Sequence, residues 1–264
     1  MSRARDHSIF AKRSFGQNFL IDQNIIDKII NAANPGSTET VVEIGPGRGA
    51  LTERLLDLAV EVIAIELDRD LASLMREKFA GRSNFQVVEA DAVNLGFASV
   101  LRTERAPAKL VANLPYNVAT AILQALANQK HLFSELVLMF QREVAERMTA
   151  KPGTSERGYL TVIVEANFNV ERLFDVPPTA FRPIPKVWSS VVKLTPKFVE
   201  IADNDLFREL VSAGFAQRRK TIQNNLKMLY TDAHSLLERA NIEPNRRAET
   251  LTLDEWLSLA RAVS

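Results

Sequence analysis

A chain of 264 residues with 46% hydrophobic side chains and a net charge of +1 can bury one large core, or a medium one and a small one, and no long stretch is polar enough to stay disordered. Cysteine is absent, which excludes disulfides, thiolate catalysis and cysteine zinc sites together and fits a reducing compartment. The three histidines, His7, His131 and His234, are far apart without ligand spacing, and neither an apolar signal core nor a membrane-length run occurs. The expectation is a cytoplasmic protein with no metal site and no membrane partner.

The N-terminal stretch 1–16 is basic, with Arg3, Arg5, Lys12 and Arg13 against Asp6 alone. Gln17-Asn18-Phe19-Leu20 then precedes a helix expected to start near Gln23. From residue 40, short β-branched runs alternate with helical stretches. Strands are expected at 41–45, 60–66, 85–90, 109–113 and 135–140, with helices at 50–58, 68–79, about 118–128, and from the fifth strand through Arg147. That alternation implies a doubly wound, mostly parallel sheet with helices on both faces. The stretch 151–158 is a loop by composition, and a helix follows it. Runs 168–174 and 189–194 lack a long crossover helix between them, so they are expected as an antiparallel edge that completes seven strands. Pro196 ends the unit. Residues 203–262 show only helical periodicity. The expected division is an α/β Rossmann-like domain, 1–198, and a small helical domain, 199–264.

Two further segments are basic and free of acids: 181–193, with Arg182, Lys186 and Lys193, and 215–227, with Arg218, Arg219, Lys220 and Lys227. Each alone fits a solvated surface. Three such segments on a near-neutral chain suggest one face turned toward a polyanion.

The stretch 41–52 places Gly45, Gly47 and Gly49 at the turn between the first sheet strand and its helix. Glycine there tolerates positive φ and lets the backbone approach a ligand, and ligands of open parallel sheets sit beyond the carboxyl ends of the strands. The pattern also satisfies the loose dinucleotide motif, so a nicotinamide-dependent oxidoreductase is a rival on this feature alone. Glu66 closes the second strand, where a carboxylate accepts from ribose hydroxyls. Asp91 follows the third, where it either accepts from an adenine amine or caps a helix. Glu43 is an acid in an apolar run and needs a partner, either a cationic ligand or backbone amides.

The fourth strand ends in Asn113-Leu114-Pro115-Tyr116. An adenine amine is a poor nucleophile because its lone pair is delocalised into the ring. Two acceptors binding its hydrogens would turn that lone pair toward an electrophilic methyl. Asn113 offers one from its side chain and Leu114 the other from its carbonyl. Pro115 holds Leu114 extended, and Tyr116 offers an aromatic face. A neutral Asn suffices, because the methylated ammonium is acidic, so catalysis is orientation and electrostatic complementarity. Against a nicotinamide enzyme stand this tetrapeptide and the lack of a histidine or tyrosine–lysine pair placed for hydride transfer. A non-catalytic factor reusing the fold is a third reading, against which the intact Asn113 and glycine turn weigh.

At this point the sequence resembles the ribosomal RNA small-subunit adenine dimethyltransferases, the kasugamycin-sensitivity methyltransferases. The likeness extends over nearly the whole chain, through residues 15–20, 43–52, Glu66, Asp91-Ala92, 113–116, 181–194 and 215–226. The resemblance implies S-adenosylmethionine as cofactor, with contacts from Asn18, Leu20, Glu43, Gly45, Gly47, Gly49, Glu66, Asp91, Ala92 and Asn113. It implies Phe181 stacking on a flipped-out adenine opposite Tyr116. It also implies action on the small ribosomal subunit, where two adjacent adenosines near the 3′ end of 16S rRNA each receive two methyl groups; a monomer is the expected state. Related enzymes acting on the large subunit share similar motifs; the helical segment favours the small-subunit family.

The flanking segments also make physical sense by themselves. Residues 17–20 are either a lid over the cofactor or an ordinary strap. Phe181 and two prolines beside Arg182 and Lys186 suit an aromatic platform along a phosphate path. Arg218, Arg219 and Lys220, with Lys12 and Arg13, are expected on RNA phosphates. Trp188 and Trp256 are expected to pack.

Overall fold

The computed structural model describes residues 17–102, 105–199 and 205–263. His7, Arg3, Arg5, Lys12 and Arg13, singled out above, lie outside them. Nine strands and ten α-helices follow in chain order among the described residues: β1 (Phe19–Leu20), α1 (Gln23–Ala33), β2 (Thr40–Ile44), α2 (Ala50–Leu56), β3 (Glu61–Glu66), α3 (Arg69–Lys78), β4 (Phe85–Glu89), β5 (Ala108–Asn113), α4 (Ala119–Asn128), β6 (Phe133–Gln141), α5 (Arg142–Met148), α6 (Tyr159–Asn167), β7 (Phe168–Val176), β8 (Phe181–Arg182), β9 (Ser189–Pro196), α7 (Asp205–Gly214), α8 (Ile222–Leu226), α9 (Ala233–Arg239) and α10 (Leu253–Val263). No helix among them is long and apolar enough to cross a membrane.

Seven strands form one sheet in the order β4-β3-β2-β5-β6-β9-β7. The pairs β2–β3, β3–β4, β2–β5 and β5–β6 are parallel. Every residue of β2 is buried, as expected of a parallel strand covered on both faces. From β2 the chain builds outward through β3 and β4, then crosses back to lay β5 on the other flank of β2. The reversal leaves a crevice beyond the carboxyl ends of β2 and β5, the topological switch point. Helix α1 starts where Asp22 accepts hydrogen bonds from the amides of Asn24 and Ile25, and it buries Ile25, Ile26, Ile29, Ile30 and Ala33 on one stripe. A second, two-stranded sheet pairs β1 with β8 antiparallel, Leu20 opposite Phe181, which the periodicity did not suggest.

The described residues group into two compact units, one within 1–142 and 173–193, the other within 143–172 and 194–264. The expected boundary at 198/199 differs from this division. Val162, Ile163 and Ala166 of α6 lie in the same apolar cluster as Phe207, Leu210, Leu236 and Trp256, so α6 packs with the C-terminal helices. Its near-uniform apolar sequence, buried at seven of nine positions, gave no hint of which partner it buries against.

Within the second unit, Arg157 is fully buried and ties three segments together. It donates to the carbonyls of Leu251 (3.1 Å) and Ala150 (3.2 Å) and pairs with Glu165 at 2.9 Å. Gly214 ends α7 against the indole of Trp256, whose ring is stacked on Phe215 at 5.6 Å. A Cβ on Gly214 would lie 2.3 Å from the Trp256 ring and 3.0 Å from Ile222, closer than packed carbons allow. Gly214→Ala therefore destabilises despite alanine's higher helix propensity, by about 1–3 kcal/mol, the usual cost of overpacking. Urea unfolding is the measurement; a variant as stable as the parent would show that the indole shifts freely.

Candidate active site

The crevice at the switch point is a pocket of about 960 Å³, open mouth included. Among its lining residues are Asn18, Leu20, Glu43, Gly45, Gly47, Glu66, Asn113, Leu114, Pro115 and Tyr116, ten residues expected from the sequence. Gly45, at φ +67°, has its would-be Cβ 3.9 Å from both the Asn113 carbonyl and Pro115 Cδ, so the glycine turn and the Asn-Leu-Pro-Tyr turn share one wall. Positive φ at this point is what glycine supplies without strain.

Asn113 donates its Nδ2 to the Asn18 carbonyl at 3.2 Å, which leaves Oδ1 as the acceptor it offers. Leu114 is buried and Tyr116 half-buried; the Tyr116 hydroxyl and Ser189 Oγ are 2.6 Å apart. Burial raises the Tyr116 pKa above its ordinary value, so the phenol stays neutral.

Gln17 through Leu20 form a strap tied down at several points. Gln17 Nε2 donates to Asp68 at 3.0 Å, and Asn113 donates to Asn18. The Phe19 ring lies where a Cβ on Gly47 would meet it at 3.1 Å, under the Arg48 guanidinium at 4.7 Å. The glycine of the turn is thus needed to admit the strap. Residues 17–20 were expected as a lid or a strap, whereas the individual parts of Arg48 and Asp68 were not foreseen; Asp68 is the N-cap of α3.

Two carboxylates line the same pocket. Glu66 is buried, accepts from the Asp68 amide at 2.9 Å and the Gly47 amide at 3.4 Å, and has its pKa raised by that burial. Glu43 is 1% exposed; burial pushes its carboxyl up to about 8, with Glu66 adding repulsion and the Thr52 hydroxyl bond pulling the other way. Its partner is that hydroxyl, at 2.6 Å, where the sequence had left a cationic ligand or backbone amides open.

Four expected site residues lie elsewhere. Asp91 accepts from the Val93 amide at 2.9 Å and Asn94 Nδ2 at 2.8 Å, closing its own turn, and Ala92 is buried. Strand β4 is two places from β2, and neither residue lines the pocket. Gly49 caps α2 at φ +81°, with Phe79 at 2.9 Å from its would-be Cβ, so it serves packing. Phe181 is fully buried in the apolar cluster with Leu20 and Ile25, so its ring shows no face to a base and the expected platform opposite Tyr116 is not formed. Of the basic residues, Arg182, Lys186, Arg218, Arg219 and Lys220 are exposed, and Arg218 donates to the Ser155 carbonyl. Trp256 is buried as expected, whereas Trp188 is 44% exposed.

The raised Glu43 pKa has a sign. Stability linked to its protonated form is fully present below the usual carboxylate value of 4.5 and is lost as pH rises through about 8. Glu43→Gln removes this loss, so between about pH 5 and 8 the variant falls in stability by about 2–4 kcal/mol less than the parent. Denaturant titrations across that range decide it; parallel curves would mean that Glu43 is ionised in the folded protein.

The family model described as ribosomal RNA adenine dimethylase matches residues 10–264. The protein named ribosomal RNA small subunit methyltransferase A from Hahella chejuensis is 45% identical over 255 residues, 95% of this chain and 92% of its own. Its namesake from Geobacter sulfurreducens is 41% identical over 268 residues, 98% and 97% of the two chains. Among solved structures, a dimethyladenosine transferase from Plasmodium falciparum is similar with a TM-score of 0.75 at 30% identity, over 91% of this chain and 95% of that one. The 23S rRNA methyltransferase ErmE is similar with a TM-score of 0.67 at 26% identity, over 93% and 99%. With a family match reaching residue 264 from residue 10, and relatives above 40% identity over nearly their full length, the chain belongs to the ribosomal RNA adenine dimethylase family.

Proposed function

We infer that this chain methylates the exocyclic N6 of adenosine in small-subunit ribosomal RNA, to the dimethyl form, with S-adenosylmethionine as methyl donor. The observation that carries the reading is the shared wall of the pocket, where a glycine turn meets an amine-orienting turn. The 40–45% identity to small-subunit methyltransferases, against 26% to ErmE, supports the small subunit over the large one.

The pocket fits such a cofactor. Two buried carboxylates in one crevice favour a ligand carrying positive charge, and Glu66, at the end of β3, would accept from ribose hydroxyls. Asn18, Leu20, Gly45, Gly47, Glu43 and Asn113 would hold the remainder. Bound there, S-adenosylmethionine supplies a methyl group made electrophilic by its sulfonium. Asn113 Oδ1 and the Leu114 carbonyl accept the two N6 hydrogens and turn the lone pair out of conjugation. Tyr116, anchored to Ser189, offers its ring to the base. A neutral amide suits a nitrogen that turns positive and then loses a proton to water. The cysteine-free sequence is compatible with the cytoplasm. We assign Arg218, Arg219 and Lys220, exposed on the turn between α7 and α8, to phosphates of the subunit's RNA.

Asn113→Ala cuts single-turnover methyl transfer to unmethylated small subunits on the order of 10²–10³-fold at saturating cofactor. A near-parent rate would remove Asn113 from the chemistry. Glu66→Ala weakens S-adenosylmethionine binding by about 1–3 kcal/mol in calorimetry; unchanged affinity in a folded variant would move the ribose elsewhere. Arg219→Ala with Lys220→Ala lowers the slope of log affinity for small subunits against log salt by roughly 0.7–0.9 for each phosphate no longer neutralised, with cofactor binding intact. An unchanged slope would place the docking face elsewhere.

A further inference from the structure

Residues 182–188 project between two fixed ends. Phe181 is buried and paired through β8 to β1, and Ser189 is buried at the start of β9, against the Tyr116 hydroxyl. Between them the chain exposes three large apolar side chains close together, Ile184 (56%), Val187 (40%) and Trp188 (44%). The backbone of Trp188 is held, since its carbonyl accepts from the Arg142 amide at 2.9 Å. The Arg142 guanidinium lies 5.9 Å from the centre of the Trp188 ring, and Arg182 and Lys186 are exposed on the same segment.

An indole left in water while the chain's other tryptophan is fully buried has not been recruited to the core. A flat π face backed by a guanidinium, with Arg182 and Lys186 exposed on the same segment, matches an unpaired base and its phosphates. The ledge adjoins the pocket directly: Ser189, which meets Tyr116, is the next residue after Trp188. A strand that places one base against Tyr116 must bring a neighbouring nucleotide past this ledge.

We propose that Trp188, with Arg142 beside it, is a second base-stacking platform that holds a nucleotide flanking the one undergoing methylation. The proposal rests on the RNA-methylating reading above and adds to it a residue that positions the strand without touching the reacting atoms. The cations favour RNA over a protein partner.

The test separates Trp188 from Trp256 by accessibility. In the parent, acrylamide quenches the exposed Trp188, and a saturating short oligoadenylate shields it. In Trp188→Phe only the buried Trp256 emits, and the RNA changes nothing. In methyl transfer to unmethylated small subunits, Trp188→Ala raises KM about tenfold with kcat unchanged. Trp188→Phe stays near the parent, and Trp188→Leu behaves like the alanine variant because bulk remains and the flat face is gone. Trp188 that stays fully quenchable in bound RNA, or Leu and Phe variants with equal KM, overturns the platform and leaves an apolar docking point for a protein instead. A parent that methylates no small subunits would sink the RNA reading itself, whereas a parent that does so with an unaltered Trp188→Ala sinks only the platform.

Discussion

The reversal of strand order at β2 is the constraint on which the rest depends. Once β3 and β4 have been laid on one flank and β5 on the other, the loops leaving β2 and β5 diverge to opposite sides. The sheet itself leaves the gap between their carboxyl ends open. A glycine turn follows β2 and a proline-restricted turn follows β5, so the gap is walled by backbone polar groups held in fixed directions. Gly45 at φ +67° is what lets the two walls approach to van der Waals distance.

What closes the crevice is local chain, not a second layer of the sheet. The strap at Gln17–Leu20 has almost no secondary structure of its own, and its order comes from side chains of other elements and from strand pairing: Asp68, Asn113, Arg48 and the β8 strand. Two carboxylates share the resulting space. Keeping Glu43 and Glu66 together out of water is costly, and the protein meets that cost by protonation of Glu43 and by a hydroxyl and two amides as donors. A ligand bringing positive charge lowers the same cost, which couples cofactor charge to the protonation of the pocket.

The second unit solves a different problem. Short helices, of which α8 has only five residues, cannot bury much individually, so they are pinned by single side chains of long reach. Arg157 joins the carbonyl of Ala150, in the loop before it, to that of the distant Leu251, and Asn225 holds the turn after α7 through the carbonyls of Gly214 (2.5 Å) and Gln217 (3.2 Å). Arg218, Arg219 and Lys220 are exposed on that turn, with Arg218 donating to the Ser155 carbonyl.

The sequence by itself determined the seven strands of the main sheet, the switch-point position of the glycine turn, and the Asn-Leu-Pro-Tyr wall. These follow from period, β-branching and the backbone restrictions of glycine and proline, all of which act within a few residues. Gly45, Gly47, Glu43, Glu66 and residues 113–116 were legible for that reason, whereas Asn18 and Leu20 came from the family resemblance. Only the tertiary structure decided which side chains face the pocket. Asp91 satisfies itself within its own turn, Phe181 is drawn into the core by its pairing with Leu20, and α6 joins the C-terminal helices although it sits between strands in the chain. Trp188 looked like a packing residue and stands in solvent, because the ends of its segment are anchored and its middle has no surface to cover. Burial is a property of what lies opposite, and what lies opposite in this fold comes from residues tens to more than a hundred positions away, whose arrival no local pattern encodes.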